Sequence, residues 1–159
     1  IDLWGKEDVE GVFADQTWMA VLDKEPSRRV KEIWTSVRNA REEAIRFLND
    51  AHASGKRIFG YQVDDVCRDA IAKTGFGDFF VHRTGHSMDV DLHGSGPNLD
   101  NLETRDDRTL ITGVGFSVEP GIYIPDEVGI RSEVNVYWGP EGPEVTPKNR
   151  QYEILALLG

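Results

Sequence analysis

Between Ser27 and Ala53, apolar residues recur at spacings of three and four: Val30, Ile33, Trp34, Val37, Ala40, Ala44, Phe47 and Leu48. That period predicts one long amphipathic helix, which needs an apolar surface to lie on. Pro26 and Ser27 suit its start. Arg28, Lys31, Glu32, Arg38, Glu42 and Arg46 fall between the apolar positions and read as a solvated face. Ser54-Gly55-Lys56-Arg57 reads as a turn. A second helix is expected from Val63 to Lys73, apolar on Val66, Ala70 and Ile71, with Gly75 placed to stop it.

The rest of the chain reads as strands and turns. Ile1 to Leu22 gives two short strands around a polar loop, with a turn at Gly5-Lys6-Glu7-Asp8 and a return starting at Val12-Phe13-Ala14. After Phe76, strands are expected at Phe79–His82, Asp89–His93, Gly115–Glu119, Ile122–Ile124, Arg131–Trp138 and Glu153–Leu157, punctuated by Gly and Pro. Helices and strands are segregated, so the pattern is α+β with mostly antiparallel strands. A length of 159 residues favours one domain with one core.

Charge bears on partners. A formal net charge of -10 argues against a nucleic-acid surface and against a polybasic membrane contact. No apolar run approaches the roughly 20 residues that span a bilayer. Cys67 is the only cysteine, which excludes an intrachain disulfide and favours a cytoplasmic location.

Four carboxylates sit among apolar strand residues. Asp2 lies between Ile1 and Leu3. Asp15 lies between Phe13-Ala14 and Thr17-Trp18. Glu119 ends Phe116-Ser117-Val118, and Glu133 sits within Ile130 to Val134. Charges in such settings are costly unless paired or metal-bound. Three of the four histidines, His82, His86 and His93, fall within 12 positions. A shared cation is one reading; surface acids and an incidental histidine cluster is the other. His52, on the long helix, reads as solvated.

The order of motifs resembles the pita-bread metallopeptidases, the family of methionine aminopeptidase, prolidase, aminopeptidase P and creatinase. The matching pieces are Ile1-Asp2-Leu3, Ala14-Asp15-Gln16-Thr17, His82-Arg83-Thr84-Gly85-His86, Leu92-His93, Val118 to Tyr123 and Gly129 to Glu133. Pro120-Gly121-Ile122-Tyr123 and Gly129-Ile130-Arg131-Ser132-Glu133 are most similar to the proline-specific branch. The resemblance implies two divalent metal ions, drawn from Mn, Co, Zn or Fe. Asp2 would bind one, His86 and Glu119 the other, and Asp15 and Glu133 would bridge them. Bridging carboxylates offset the repulsion of cations about 3.5–4 Å apart. An oxygen-rich donor set suits these metals better than a thiolate set would.

The implied reaction is hydrolysis of a peptide bond adjacent to proline by a metal-bridging hydroxide, as in Xaa-Pro dipeptidases or aminopeptidases. Glu119 would carry the proton. His82 and His93 would hold the peptide and stabilise the oxyanion. Arg131 would steady a bridging carboxylate or meet a substrate carboxylate; a structural ion pair beside Glu133 is the competing reading. The alternatives to a peptidase are a non-catalytic peptide-binding or truncated homologue on the same fold, and a creatinase-like hydrolase.

Two departures from the family pattern stand out. Asp2 and Asp15 are thirteen positions apart, about two more than the family hairpin, with the insertion placed near Lys6 to Glu10. The polar segment Asn98 to Arg108 reads as a lid or a partner contact. Residues 1–159 are expected to form a C-terminal catalytic domain that lacks the N-terminal half of the pita-bread fold. An open sheet edge would then favour a homodimer or larger assembly.

Overall fold

The computed structural model describes residues 1–159. Helix α1 spans Arg28–Ala53, and the Ser27 hydroxyl caps it by accepting from the Val30 amide at 3.2 Å. Its apolar stripe is the predicted one: Ile33, Val37, Ala40, Ala44 and Leu48 are wholly buried. Fully burying a side chain such as Ile33, Val37 or Leu48 stabilises by about 1.5–3 kcal/mol. Helix α2 spans Gly60–Ala72, starting three residues earlier than the sequence suggests. The Gln62 side chain accepts from the Phe59 amide at 3.1 Å and so caps the earlier turn. A Cβ at Gly60 would lie 1.9 Å from the Asn98 carbonyl oxygen, so only glycine lets the helix start that close to this loop.

Strands β1 (Asp2–Gly5) and β2 (Ala14–Thr17) form an antiparallel hairpin. The return strand starts at Ala14 rather than Val12. β3 (Ala20–Val21) pairs in parallel with β10 (Leu155–Ala156), the one parallel pair and all that remains of the strand expected over Glu153–Leu157. β4 (Ser87–Met88), β5 (Gly115–Val118), β8 (Val134–Gly139) and β9 (Gly142–Thr146) make an antiparallel sheet in the order β4-β5-β8-β9. β6 (Gly121–Ile124) pairs with β7 (Val128–Arg131).

Two expected strands are absent. Gly77–Phe79 is a 3-10 turn, and Phe80 to His82 continues without a ladder partner. Asp89 to His93 is a tight bend: the Asp89 side chain accepts from the Asp91 and Ser95 amides, at 2.8 and 3.1 Å, and turns the chain. The run expected over Arg131–Trp138 is broken at Ser132-Glu133.

That break governs the molecule. β5–β8 and β6–β7 share one register: Val118 faces Val134 and Gly121 faces Arg131. Continued across the gap, it sets Glu119 opposite Glu133 and Pro120 opposite Ser132, and the Ser132 amide donates to the Pro120 carbonyl at 3.2 Å. Successive strand residues point to opposite faces. Phe116, Val118, Ile122, Ile130, Val134 and Val136 therefore point together into the core. The N-terminal half of α1 packs with Ile122 and Ile130, and its C-terminal half with Phe116, Val118, Val134 and Val136. The odd-numbered residues of the same ribbon point the other way. No helix is long and apolar enough to cross a membrane.

Candidate metal centre

The ribbon's odd face carries Ser117, Glu119 and Tyr123 on one limb and Arg131, Glu133 and Asn135 on the other. The hairpin supplies a second face. In its register Asp2 sits opposite Thr17 and Trp4 opposite Asp15. Opposed residues share a face, so Asp2, Trp4, Asp15 and Thr17 point one way. The Asn135 side chain grips Asp15 at both backbone groups, accepting from its amide at 3.0 Å and donating to its carbonyl at 2.6 Å. His86 enters just before β4. Its amide donates to Ser117 Oγ and its carbonyl accepts from the Ser117 amide, both at 2.9 Å.

These elements bring Asp15, His86, Glu119 and Glu133 together, each at most 9% exposed. His86 Nε2 lies 3.4 Å from Asp15 Oδ2 and 3.5 Å from Glu119 Oε1. One ligand atom from each of Asp15, His86 and Glu133 lies within 4.8 Å of the others. Asp2 is set apart. Its carboxylate is 48% exposed and bonded to Arg131, whose Nη1 lies 3.7 Å from Glu119 Oε2. The predicted residues share a cleft of about 480 Å³ with Trp4, Arg83, Leu92 and Glu103. A larger groove of about 1090 Å³ lies on the hairpin's other side, lined by Leu3, Val12 and Trp18 among others, away from these ligands.

The electrostatics are those of crowded carboxylates. Burial raises Glu119, against the opposing charges of His86 and Arg131. Glu133 is pushed up to about 8, first by burial and then by the charges of Glu119 and Asp15. Opposed like charges on paired strands are destabilising. Two buried oxygens in the crowd, Asp15 Oδ1 and Glu133 Oε1, have no hydrogen-bond partner. Each such orphan costs about 1–3 kcal/mol. A divalent cation would satisfy both oxygens and offset the repulsion. The donor set, carboxylates with one imidazole, is the hard kind that such cations take. The residues therefore fit a metal ion.

Outer partners hold the ligands in place. His86 Nδ1 lies 3.1 Å from the Ser87 carbonyl, which only accepts, so Nδ1 donates to it and Nε2 is the nitrogen turned toward Asp15 and Glu119. Burial alone would lower His86, but its Asp15 contact and the Ser87 carbonyl outweigh it, and it is raised. Ser117 Oγ donates to Glu119 Oε1 at 3.0 Å. Thr17 Oγ1 donates to Glu133 Oε2 at 2.8 Å and accepts from Arg131 Nε at 2.9 Å. Arg131 thus reaches Glu133 only through Thr17.

The remaining histidines differ. His82 donates from Nδ1 to the Arg83 carbonyl at 2.7 Å, and its Nε2 accepts from the Tyr123 hydroxyl at 2.8 Å. Burial, with the charges of Arg131 and Arg68, lowers it and keeps it neutral. His93 is exposed and stands edge-on to His86 at 4.5 Å between ring centres; slight burial and the His86 and Arg83 charges lower it too. His52 is not simply solvated: its ring packs edge-on against Trp138 at 5.7 Å. Asn98 to Arg108 is a built loop, with Leu99 wholly buried and Asp100 and Asp106 turned inward onto backbone amides.

Thr17, Ser117, Tyr123 and Asn135 escaped the sequence reading. The signal was present, since Thr17 and Ser117 each lie two positions from a ligand on a strand. It is weak, because hydroxyl residues at that offset are common.

The model of metallopeptidase family M24 matches residues 1–139. The Xaa-Pro dipeptidase of Lactobacillus helveticus is 34% identical over 121 residues, 76% of this chain and 30% of that protein. The structure is similar to the X-Pro aminopeptidase of Thermotoga maritima MSB8, with a TM-score of 0.84 and 31% identity over 98% of this chain and 40% of that one. The Xaa-Pro dipeptidase of Bacillus anthracis gives a TM-score of 0.79 and 32% identity over 92% of this chain and 38% of that one. The chain spans about a third of the length of the curated relatives it matches. The fold is α+β and matches the C-terminal part of these pita-bread neighbours.

Proposed function

The chain belongs to metallopeptidase family M24, and from that premise we propose that residues 1–159 are the C-terminal catalytic part of a binuclear peptidase that cleaves peptide bonds next to proline. One observation carries the metal reading: Asp15 and Glu133, buried together beside His86 and Glu119, each keep an oxygen with no partner. Asp15 and Glu133 would hold both cations, His86 and Glu119 one, and Asp2 the other; Mn, Co, Zn or Fe would serve. When bound, the cations supply an acidified attacking water and a polarised scissile carbonyl.

The chain's own residues do the rest. Ser117 fixes Glu119 Oε1, leaving Oε2 to take a proton from the attacking water and return it to the leaving amine. A carboxylate within reach of both the water and the leaving amine is the kind of group that performs such an exchange. Neutral His82, backed by the Tyr123 hydroxyl, lines the wall against which the peptide lies. His93 at the exposed mouth offers a ring N–H to the carbonyl oxygen as charge develops there. Arg131 holds Asp2 and, through Thr17, Glu133. The proline preference rests on the relatives, several of which are Xaa-Pro peptidases.

The exposed apolar outer side of the hairpin, with Ile1 77% and Leu3 62% exposed, supports a homodimer or larger assembly that covers it.

Calorimetry with Mn, Co and Zn on the wild type and on Asp15→Asn tests the reading. About two equivalents per chain are expected for a two-metal site, with a clear loss in the variant. Release of product from an Xaa-Pro peptide but not from its Xaa-Ala analogue is the matching activity result. A wild type that binds no metal would overturn the proposal.

A further inference from the structure

Outside the cleft, α2 carries an ion pair one helical turn apart, buried at its carboxylate and part-buried at its guanidinium. Asp64 is wholly buried, and its Oδ2 accepts from Arg68 Nε at 2.6 Å. Its Oδ1 accepts from both the amide and the hydroxyl of Thr84, at 2.8 and 2.6 Å. Oδ2 also accepts from the Asn101 amide at 2.8 Å. Arg68 spends its other N–H groups on two backbone carbonyls, Phe80 at 3.1 Å and His82, with its guanidinium 4.4 Å from the centre of the Phe80 ring.

Neither residue lines the cleft, yet every bond they make beyond their own pair ends on a segment that does. Phe80 to His82 belongs to the stretch that was expected as a strand and forms none. Its carbonyls lack ladder partners, and backbone groups in a protein interior need one. Arg68 supplies the donors that a neighbouring strand would have supplied. Asp64 closes the other end at Thr84, two residues before His86. The Thr84 carbonyl then accepts from the Glu119 amide at 2.7 Å, so the grip continues to a second ligand. Through Asn101 the same carboxylate holds the loop that places Glu103 at the cleft.

A buried ion pair adds little stability compared with well-packed apolar residues of similar volume. Its distinctive product here is geometry: two charge-assisted anchors, one on the Phe80 and His82 carbonyls and one on Thr84. We propose that Asp64 and Arg68 are positioning residues that set the ring orientations of His82 and His86 from behind the cleft. The inference deepens the metal reading given above and rests on His86 being a ligand.

The test uses the full chain, with Arg68→Lys and Asp64→Asn, both close in size to the native residues. In metal-free protein, long-range 15N–1H NMR correlations report the ring tautomers without reference to activity. The His82 ring should be Nδ1–H in the wild type, as its bonds to the Arg83 carbonyl and the Tyr123 hydroxyl require, and become mixed in the variants, with unchanged far-ultraviolet circular dichroism. Cobalt titrated into each protein should bind about 10- to 100-fold more weakly in the variants, the usual effect of losing an outer partner, with an altered visible spectrum. Native tautomers and native cobalt affinity in both variants would overturn the positioning role, as would unfolding of both, which would make the pair purely structural. No cobalt binding by the wild type would instead overturn the metal reading on which the inference stands.

Discussion

Asp2 and Asp15 lie on the same face of one hairpin, yet the Asp15 side chain is 7% exposed and the Asp2 side chain 48%. The difference comes from what each strand touches next. β2 is tied to the ribbon: Asn135 holds Asp15 by two bonds, and the Glu133 amide donates to the Thr17 carbonyl at 3.3 Å. β1 has only β2 beside it, and Asp2 is steadied by one arginine. One wall of the cleft is thus anchored in the core, while the other, within residues 1–159, rests on its hairpin partner. A carboxylate reads as a buried ligand when its strand has neighbours on both sides, and sequence context alone did not separate the two cases.

That contrast can be broken at either wall. The largest effect is expected from Glu133→Gln on the anchored side. It removes the charge of a residue assigned to both cations, so the two equivalents of metal should fall to one or none by calorimetry. Retention of both would mean that Glu133 does not bridge. Next comes Asp2→Asn on the other wall. One equivalent should weaken by at least the roughly 10- to 100-fold that loss of an outer partner costs, while the other stays near its wild-type affinity. Equal loss of both would show that the walls act as one unit. The smallest effect belongs to Leu3→Ser, on the hairpin's outer side. Thermal stability should move within about 0.5 kcal/mol, as for surface positions generally. Analytical ultracentrifugation should show weaker self-association, and an unchanged distribution would place any interface elsewhere.

Much of the frame was legible from local pattern. The stripe of α1, its Ser27 cap and the α+β segregation follow from spacing and residue type. The five proposed ligands were picked from their motifs, and four of them do meet in one buried cluster. The start of α2 was misread because Gly60 answers to the Asn98 carbonyl, a neighbour 38 positions away in the chain. Phe79–His82 looked like a strand because its residues favour one, but no partner strand lies beside it, and Arg68 satisfies the Phe80 and His82 carbonyls instead. Asn98 to Arg108 reads from composition as a polar lid or partner contact, and composition does not tell its inward-turned aspartates from solvated ones.

By itself the sequence determined what travels with local order, helix period, strand alternation and caps, and it carries the motifs from which the ligand set is proposed. Only the tertiary structure decided that Glu119 faces Glu133 across an interrupted ribbon, that Thr17 rather than Arg131 touches Glu133, and that Asp64 reaches Thr84. The physical reason is range. Periodicity and capping act over a few residues, where the chain's own geometry fixes who meets whom. Contacts such as Thr17 to Glu133, 116 positions apart, exist only once the packing of α1 has chosen which face of the ribbon is left open.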